Sequence, residues 1–474
     1  MQNEEEIWRL VDAKRAEYNA LADRVWATPE LCYDEHRSAA EHKAMLEREG
    51  FRVTDKVAGI PTAVMGEAGE GGPVIAILGE YDALPGLSQE AGIAEPKPIP
   101  GETRGHGCGH NLLGAGAMLA ASAVKDWLAA NGMKGRVRYY GCPAEEGGAA
   151  KGFMVRDGAF DDVDIAITWH PDYFAGVIEA LSLANTRIDF TFTGRAAHAA
   201  ASPHLGRSAL DAVELMNVGV NYMREHMPSD ARIHYAYLDA GGIAPNVVQA
   251  RAKVRYLIRA ASVLELRGLV ERVRKIADGA ALMTETQVET EVVSAVCELL
   301  GNTPLEQAMQ RNLDRLGPPV FAESDRAFAQ AIQDTLTDAD IAAAYRRHGL
   351  PAKRGNPLHD ALVAPAEKSV AMVGSTDVGD VSQKVPTVQA RGATWAVGTP
   401  FHSWQAVAQG KSPAAHAAMA HVAKVMAGTA LDALRDPALI AAAKEDLRRR
   451  MGGRPYESPL PADAKPALGM STAS

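Results

Sequence analysis

The run Pro73-Val74-Ile75-Ala76-Ile77-Leu78, stopped by Gly79 and followed by Glu-Tyr-Asp, constrains the fold more than any other stretch of the 474 residues. A continuous apolar run bounded by glycine predicts a strand buried on both faces, and such strands belong to sheets covered by helices on two sides. Two more runs follow the same plan: Arg136 to Cys142 leads straight into Pro-Ala-Glu-Glu-Gly-Gly, and Asp-Ile-Ala-Ile-Thr-Trp ends at His170. Between the first and second lies LLGAGAMLAASAVKDWLAANG, a small-residue helix ending near Gly132. Strands alternating with helices, each releasing polar residues at its carboxyl end, predict an α/β fold with its chemistry along one sheet edge.

From about Ala184 the texture changes. TRIDFTFTGRA alternates in period two, and the elements after it read helix, strand, strand, helix, strand as far as Cys297. That β-α-β-β-α-β order predicts a ferredoxin-like α+β module inserted into the first domain, serving as a lid or dimerisation domain. The expected division is 1–183 with 298–474 for the catalytic domain, and 184–297 for the insert. The first 50 or so residues read as helix, the segment 317–369 as a lid-like insertion, and the Pro/Ser/Ala-rich tail after Arg454 as mobile.

A net charge of −10 argues against nucleic acid, whose phosphates are met by clustered Lys and Arg. The acidic N-terminus resembles no secretory leader, and no run approaches the roughly 18 apolar residues of a membrane span. Four scattered cysteines, Cys32, Cys108, Cys142 and Cys297, make reduced thiols the expectation, and with them a cytoplasmic protein that touches no membrane.

The stretch Arg104-Gly105-His106-Gly107-Cys108-Gly109-His110-Asn111 opens the small-residue helix. A phosphate cradle would follow a strand and end in Lys-Ser/Thr, and this one does neither. A metal site needs further His, Asp or Glu from other strand ends. Glu145-Glu146, His170 and His402 meet that need, although a glutamate pair also reads as a solvated turn, and His402 beside Phe401 and Trp404 as a histidine satisfied within an aromatic cluster. Cys142 reads as core, and His106 has no assigned role.

GHGCGHN, YGCPAEEGG, ITWHP, FTGRAAHAAASPHLGRSALDAV, GGIAPNVVQA and VGTPFHSWQ together resemble the M20 metallopeptidase and amidohydrolase family, within it the aminoacylase and indole-acetyl-amino-acid hydrolase branch. The resemblance runs from about residue 20 to 430. It implies Cys108, His110, Glu146, His170 and His402 as ligands of two divalent ions, Mn2+ or Zn2+, with the thiolate bridging. It further implies Glu145 as general base, and His198 as a histidine reaching the partner's site in a homodimer or a heteromer with a related chain. Asn246 and Arg259 are implied as contacts to the substrate's carboxylate or oxyanion, and Asp82 as a residue orienting a ligand. The implied substrate is an N-acyl amino acid with an aromatic acyl group; p-aminobenzoyl, indole-acetyl and others stay open. A non-catalytic metal-binding member of a hetero-assembly is the competing class. Asn111 departs from the branch, which usually carries Asp after Cys-Gly-His.

Overall fold

The computed structural model of the chain describes residues 2–178, 181–364 and 374–472. The N-terminal half supplies α1 (Gln2–Trp26), α2 (His36–Arg48), β1 (Arg52–Asp55), β2 (Val64–Glu70) and β3 (Val74–Glu80). A two-residue ribbon, β4 (Leu84–Pro85) with β5 (Arg104–Gly105), precedes α3 (His110–Asn131), β6 (Gly135–Cys142), α4 (Ala150–Arg156), β7 (Ile165–Asp172) and β8 (Ala175–Val177). The middle of the chain forms β9 (Ala184–Thr193), α5 (Ala209–Met223), β10 (Arg232–Asp239), β11 (Arg251–Ala260), α6 (Val263–Thr284) and β12 (Gln287–Val296). The remainder returns to the first unit as α7 (Thr303–Leu316), α8 (Glu323–Gln333), α9 (Asp338–Arg347), β13 (Leu362–Val363), α10 (Val378–Lys384), β14 (Thr387–Ala393), α11 (Trp404–Gln409), α12 (Pro413–Arg435) and α13 (Pro437–Arg450).

Eight strands in the order β1-β2-β6-β3-β7-β14-β8-β13 make the large sheet, with β6, β3, β7 and β14 parallel at its centre. Every residue of β3 is buried, as the apolar run predicts. Ile75 and Ile77 pack under α1, α3 and α12, while Val74, Ala76 and Leu78 meet α4 and α10 on the opposite face. Small residues let α3 lie directly on the strand: a Cβ at Gly79 would stand 3.0 Å from the Gly114 Cα. By length and composition α3 could cross a membrane, but its apolar surface is buried inside this layer.

The small unit is a four-stranded antiparallel sheet, β10-β11-β9-β12, with α5 and α6 on one face, the connectivity expected of a β-α-β-β-α-β module. Even-numbered residues of β9 and β11 (Ile188, Phe190, Val254, Tyr256, Ile258) form the core beneath those helices. The odd-numbered face carries Asn185, Arg187, Asp189, Arg255, Leu257 and Arg259, and among the described residues no helix covers it.

Two expectations are corrected. Within 317–364, α8 and α9 pack Ile332, Leu336, Ile341 and Tyr345 against Phe174, Ala175, Val363 and Val397, so this stretch is part of the large unit instead of a separate lid; 365–369 lie outside the described residues. Nor does the tail after Arg454 hang free: Leu460 is buried, the Tyr456 hydroxyl donates to Asp380 Oδ1 (2.7 Å), and Arg156 Nη1 holds the carbonyls of Pro461 and Ala464.

Candidate active site

The carboxyl ends of β3, β6 and β7 converge on the start of α3. Gly109 begins the helix with a positive φ of 74°, where a side chain would meet Pro171 and Trp395. Gly107 lies against the His402 backbone, whose N–H donates to the Gly107 carbonyl (3.0 Å). His402 itself has φ of 57°, a left-handed conformation that costs a non-glycine residue energy and is retained where packing dictates it, often at functional sites. Beyond β6, Ala144 and Ala149 also take positive φ, and the buried Glu35 accepts the Ala144 N–H (2.8 Å). That shaped turn presents Glu145 and Glu146 to the cleft.

The predicted ligands come together. Donor atoms of Cys108, His110 and His170 lie within 4.8 Å of one another, as do those of Cys108, Glu146 and His402. Cys108 Sγ is 3.4 Å from His170 Nε2, and Glu146 Oε1 is 3.2 Å from His402 Nε2. Asp82 works behind them: Oδ1 accepts from His110 Nδ1 (2.9 Å), and Oδ2 accepts the Glu146 N–H (2.8 Å). His170 Nδ1 donates to its neighbour's carbonyl, that of Pro171 (2.8 Å). Both imidazoles are therefore fixed with Nε2 as the lone-pair nitrogen, the tautomer a metal requires.

Several of these atoms are buried without a partner, namely His110 Nε2, Glu146 Oε1 and Glu80 Oε2. Orphaned acceptors aimed at one point are costly unless a cation is held there, so the residues fit a divalent metal. Glu80 is a residue the sequence reading missed. It closes a third donor group with His110 and Glu145, and its Oε2 is 3.2 Å from His110 Nε2. Its other oxygen pairs with the buried Lys151 ammonium (2.6 Å), which also meets Asp377 (2.7 Å).

Electrostatics separate the two adjacent glutamates. Burial, then the Glu80 and Glu146 carboxylates, hold the Glu145 carboxyl well above the usual range. Glu146 is held below it, because contacts to His402 and His110 outweigh its desolvation. Burial, then Glu146, pushes the Cys108 thiol up, and a bound divalent cation reverses that preference. His106 is buried apart from the donors, 3.1 Å from the Val25 carbonyl, and burial pushes it down to about 3. Asn111 also faces away: Nδ2 donates to the carbonyls of Ala22 (3.3 Å) and Gly410 (3.0 Å), tying the start of α3 to its neighbours.

The cleft has two lobes that share Glu145, Glu146, Gly374, Ser375, Thr376 and His402. One, of about 270 Å³, is roofed by the small sheet through Asn185, Arg187, Leu257 and Arg259. The other, of about 230 Å³, runs past Cys108 and His170 to Ile178, Leu299 and Phe401, with Arg347 at its end. Arg259 thus reaches the cleft, its Nη1 donating to Ser375 Oγ (2.9 Å). Asn246 and His198 do not line it. They sit together on the exposed tip of the small unit, where the Ala199 N–H donates to the Asn246 carbonyl (2.9 Å) and His198 Nδ1 accepts from the N–H groups of Ala200 and Ala201.

A thiolate, imidazole and carboxylate cluster at strand ends, flanked by a carboxyl group of raised pKa, is the arrangement of a metal-dependent hydrolase. The sequence pattern of peptidase family M20/M25/M40 matches residues 76–464, and the chain belongs to that family. It is 47% identical to the larger-numbered of no set but to one named component of the p-aminobenzoyl-glutamate hydrolase of Escherichia coli, over 98% of this chain and 99% of the relative. It is 28% identical to the Xaa-Arg dipeptidase of Mus musculus, over 93% and 91% of the two chains. A dinuclear metal-binding M20 peptidase of Bacillus subtilis shares the fold at a TM-score of 0.54 and 19% identity, covering 89% of this chain and 99% of its own.

Proposed function

We propose that the chain hydrolyses the amide of an N-aromatic-acyl amino acid, p-aminobenzoyl-glutamate first among them, to the carboxylic acid and the free amino acid. The observation that carries this reading is the placement of Glu145 between two unlike lobes, one lined by arginines and the other by Phe401, Ile178 and Leu299. An amide seated over Glu145 would send its amino-acid half toward the guanidinium groups and its aryl half toward the apolar wall. The E. coli relative, named for that substrate, supports the same assignment.

Cys108, His110, Glu146, His170 and His402 would hold two divalent ions, and this mixed donor set suits zinc and tolerates manganese. When bound, such ions supply Lewis acidity, lowering the pKa of water and polarising the scissile carbonyl. Glu145 takes a proton from the attacking water at its carboxylate and returns it to the departing amine nitrogen. Its raised proton affinity suits the second half of that exchange. Asp82 keeps His110 and Glu146 in place, and Arg259 binds the substrate's carboxylate.

His198 and Asn246, exposed at the tip, serve the cleft of a second protomer. Tyr235, Tyr237 and Leu238 on the edge strand β10, with Val218 and Tyr222 on α5, are exposed and offer the contact surface. That second protomer is another copy of this chain or a related hydrolase chain of the same family, and the assembly is cytoplasmic.

The test is release of p-aminobenzoate by the purified protein supplied with Mn2+ or Zn2+. Hydrolysis that stops on chelation and returns with metal is expected. A fully metallated protein that cleaves none of a panel of aryl-acyl glutamates and aspartates would instead favour the non-catalytic role.

A further inference from the structure

On the uncovered face of the small sheet, charges are handled in two different ways. Away from the cleft, Asp189 receives both Arg255 Nε (2.6 Å) and Lys253 Nζ (2.7 Å). At the cleft end, Arg187 and Arg259 form no ion pair among the described residues. Arg187 Nη1 donates to the Gly147 carbonyl (2.9 Å) and lies 3.9 Å from Met470 Sδ, while Arg259 reaches only the Ser375 hydroxyl.

The strand register makes the two arginines a pair. Arg187 stands opposite Leu257 and Arg259 opposite Asn185, so they occupy diagonal positions on neighbouring strands, roughly 7–8 Å apart at the backbone. On its other side Arg187 faces Ser294, which is uncharged. Burial, and then the charges of Arg255 and Arg259, disfavour the Arg187 cation, and burial does the same to Arg259. Two partly desolvated guanidinium groups without a protein carboxylate are stabilised by an anion from outside. Their spacing suits one small molecule with two carboxylates, each received by one fork.

We propose that Arg187 is a specificity-determining residue that receives a second, side-chain carboxylate on the amino-acid half of the substrate, while Arg259 takes the α-carboxylate common to all amino acids. This rests on the acyl-amino-acid reading above and sharpens it: the preferred substrates carry an acidic amino acid, and a neutral one leaves Arg187 unpaired in the cleft. The bond to Gly147, in the turn that carries Glu145 and Glu146, leaves Nε and Nη2 of Arg187 for that carboxylate.

The experiment compares L-glutamate with L-norvaline, which has the same carbon count without the second carboxylate. Binding to the full-length, metal-loaded protein is read by calorimetry, and kcat/KM is measured for the two p-aminobenzoyl conjugates. The wild type should favour the glutamate member by about 30-fold or more, the scale of one charge-assisted pair. Arg187→Met should bring that ratio to within about 3-fold, Arg187→Lys should keep an intermediate preference, and Arg259→Met should weaken both ligands together. The proposal is overturned if the wild type shows no preference, if Arg187→Met leaves the ratio intact, or if it weakens both ligands equally, as loss of a purely structural tie would. Discrimination in binding with no cleavage of either conjugate would sink the hydrolase reading and leave Arg187's role standing. Equal cleavage of both would do the reverse.

Discussion

Glu145 and Glu146 are neighbours in sequence with opposite proton affinities, so their substitutions should separate catalysis from metal retention. Glu145→Gln keeps the shape and removes the acceptor: metal content should stay near wild type while kcat falls about 10²–10⁴-fold, the usual worth of a general base. Elemental analysis beside steady-state rates checks both halves, and near-native turnover would remove Glu145 from that role. A second residue governs stability. His42 is buried, its Nδ1 bonded to the Ser38 carbonyl (2.9 Å), and burial pushes it down to about 4 from an ordinary 6.5. The unfolded chain binds that proton more readily, so the neutral ring's contribution is complete above pH 6.5 and is lost as pH falls toward 4. His42→Leu should flatten the dependence of unfolding free energy on pH across that window by up to roughly 3 kcal/mol. Denaturant titrations at pH 4.5 and 7.5 measure it, and an unchanged slope would contradict the assignment.

At the scale of elements, the close approach of α3 to β3 sets where the donors meet. A Cβ on Gly114 would stand 2.5 Å from the Glu80 carbonyl oxygen and 2.7 Å from His42 Nε2. Gly114→Ala should therefore cost about 1–3 kcal/mol and also loosen metal binding, because Glu80 and His110 sit on the two elements forced apart. Thermal melts with and without metal separate the two effects; a variant of wild-type stability would mean that the layer gives way easily.

Strands such as β3 were legible because burial on both faces leaves an unbroken apolar run, and Cys108, His110, His170 and the glutamate pair because ligand-type side chains follow strand ends. Glu80 was not, since one carboxylate after a strand looks like any solvated turn until Lys151 is found beneath it. Arg187 and Asp189 share one alternating pattern, and only the register across β11 and β12 shows that one is paired and the other is not. The order of the tail was equally hidden: its Pro-rich composition resembles a loose end, while its anchors, Asp380 and Arg156, lie far away in sequence.

For the molecule as a whole, the tip carrying His198 and Asn246 stands away from its own cleft, and this makes a prediction about assemblies. Mixing a His198→Ala protomer with a Glu145→Gln protomer should restore activity, since one of the two clefts then has an intact base together with an intact histidine from its neighbour. Neither parent should show it alone. A mixture as inactive as its parents would place the histidine in service of its own chain.

The division of the cleft between two sheets has a consequence for how such enzymes diversify. Every metal donor comes from the large unit, while the arginines come from strands of the small one. Mutation can therefore rewrite which leaving group is accepted without passing through variants whose bond-breaking machinery is damaged. A lineage of this build can change its diet one outward-facing strand position at a time.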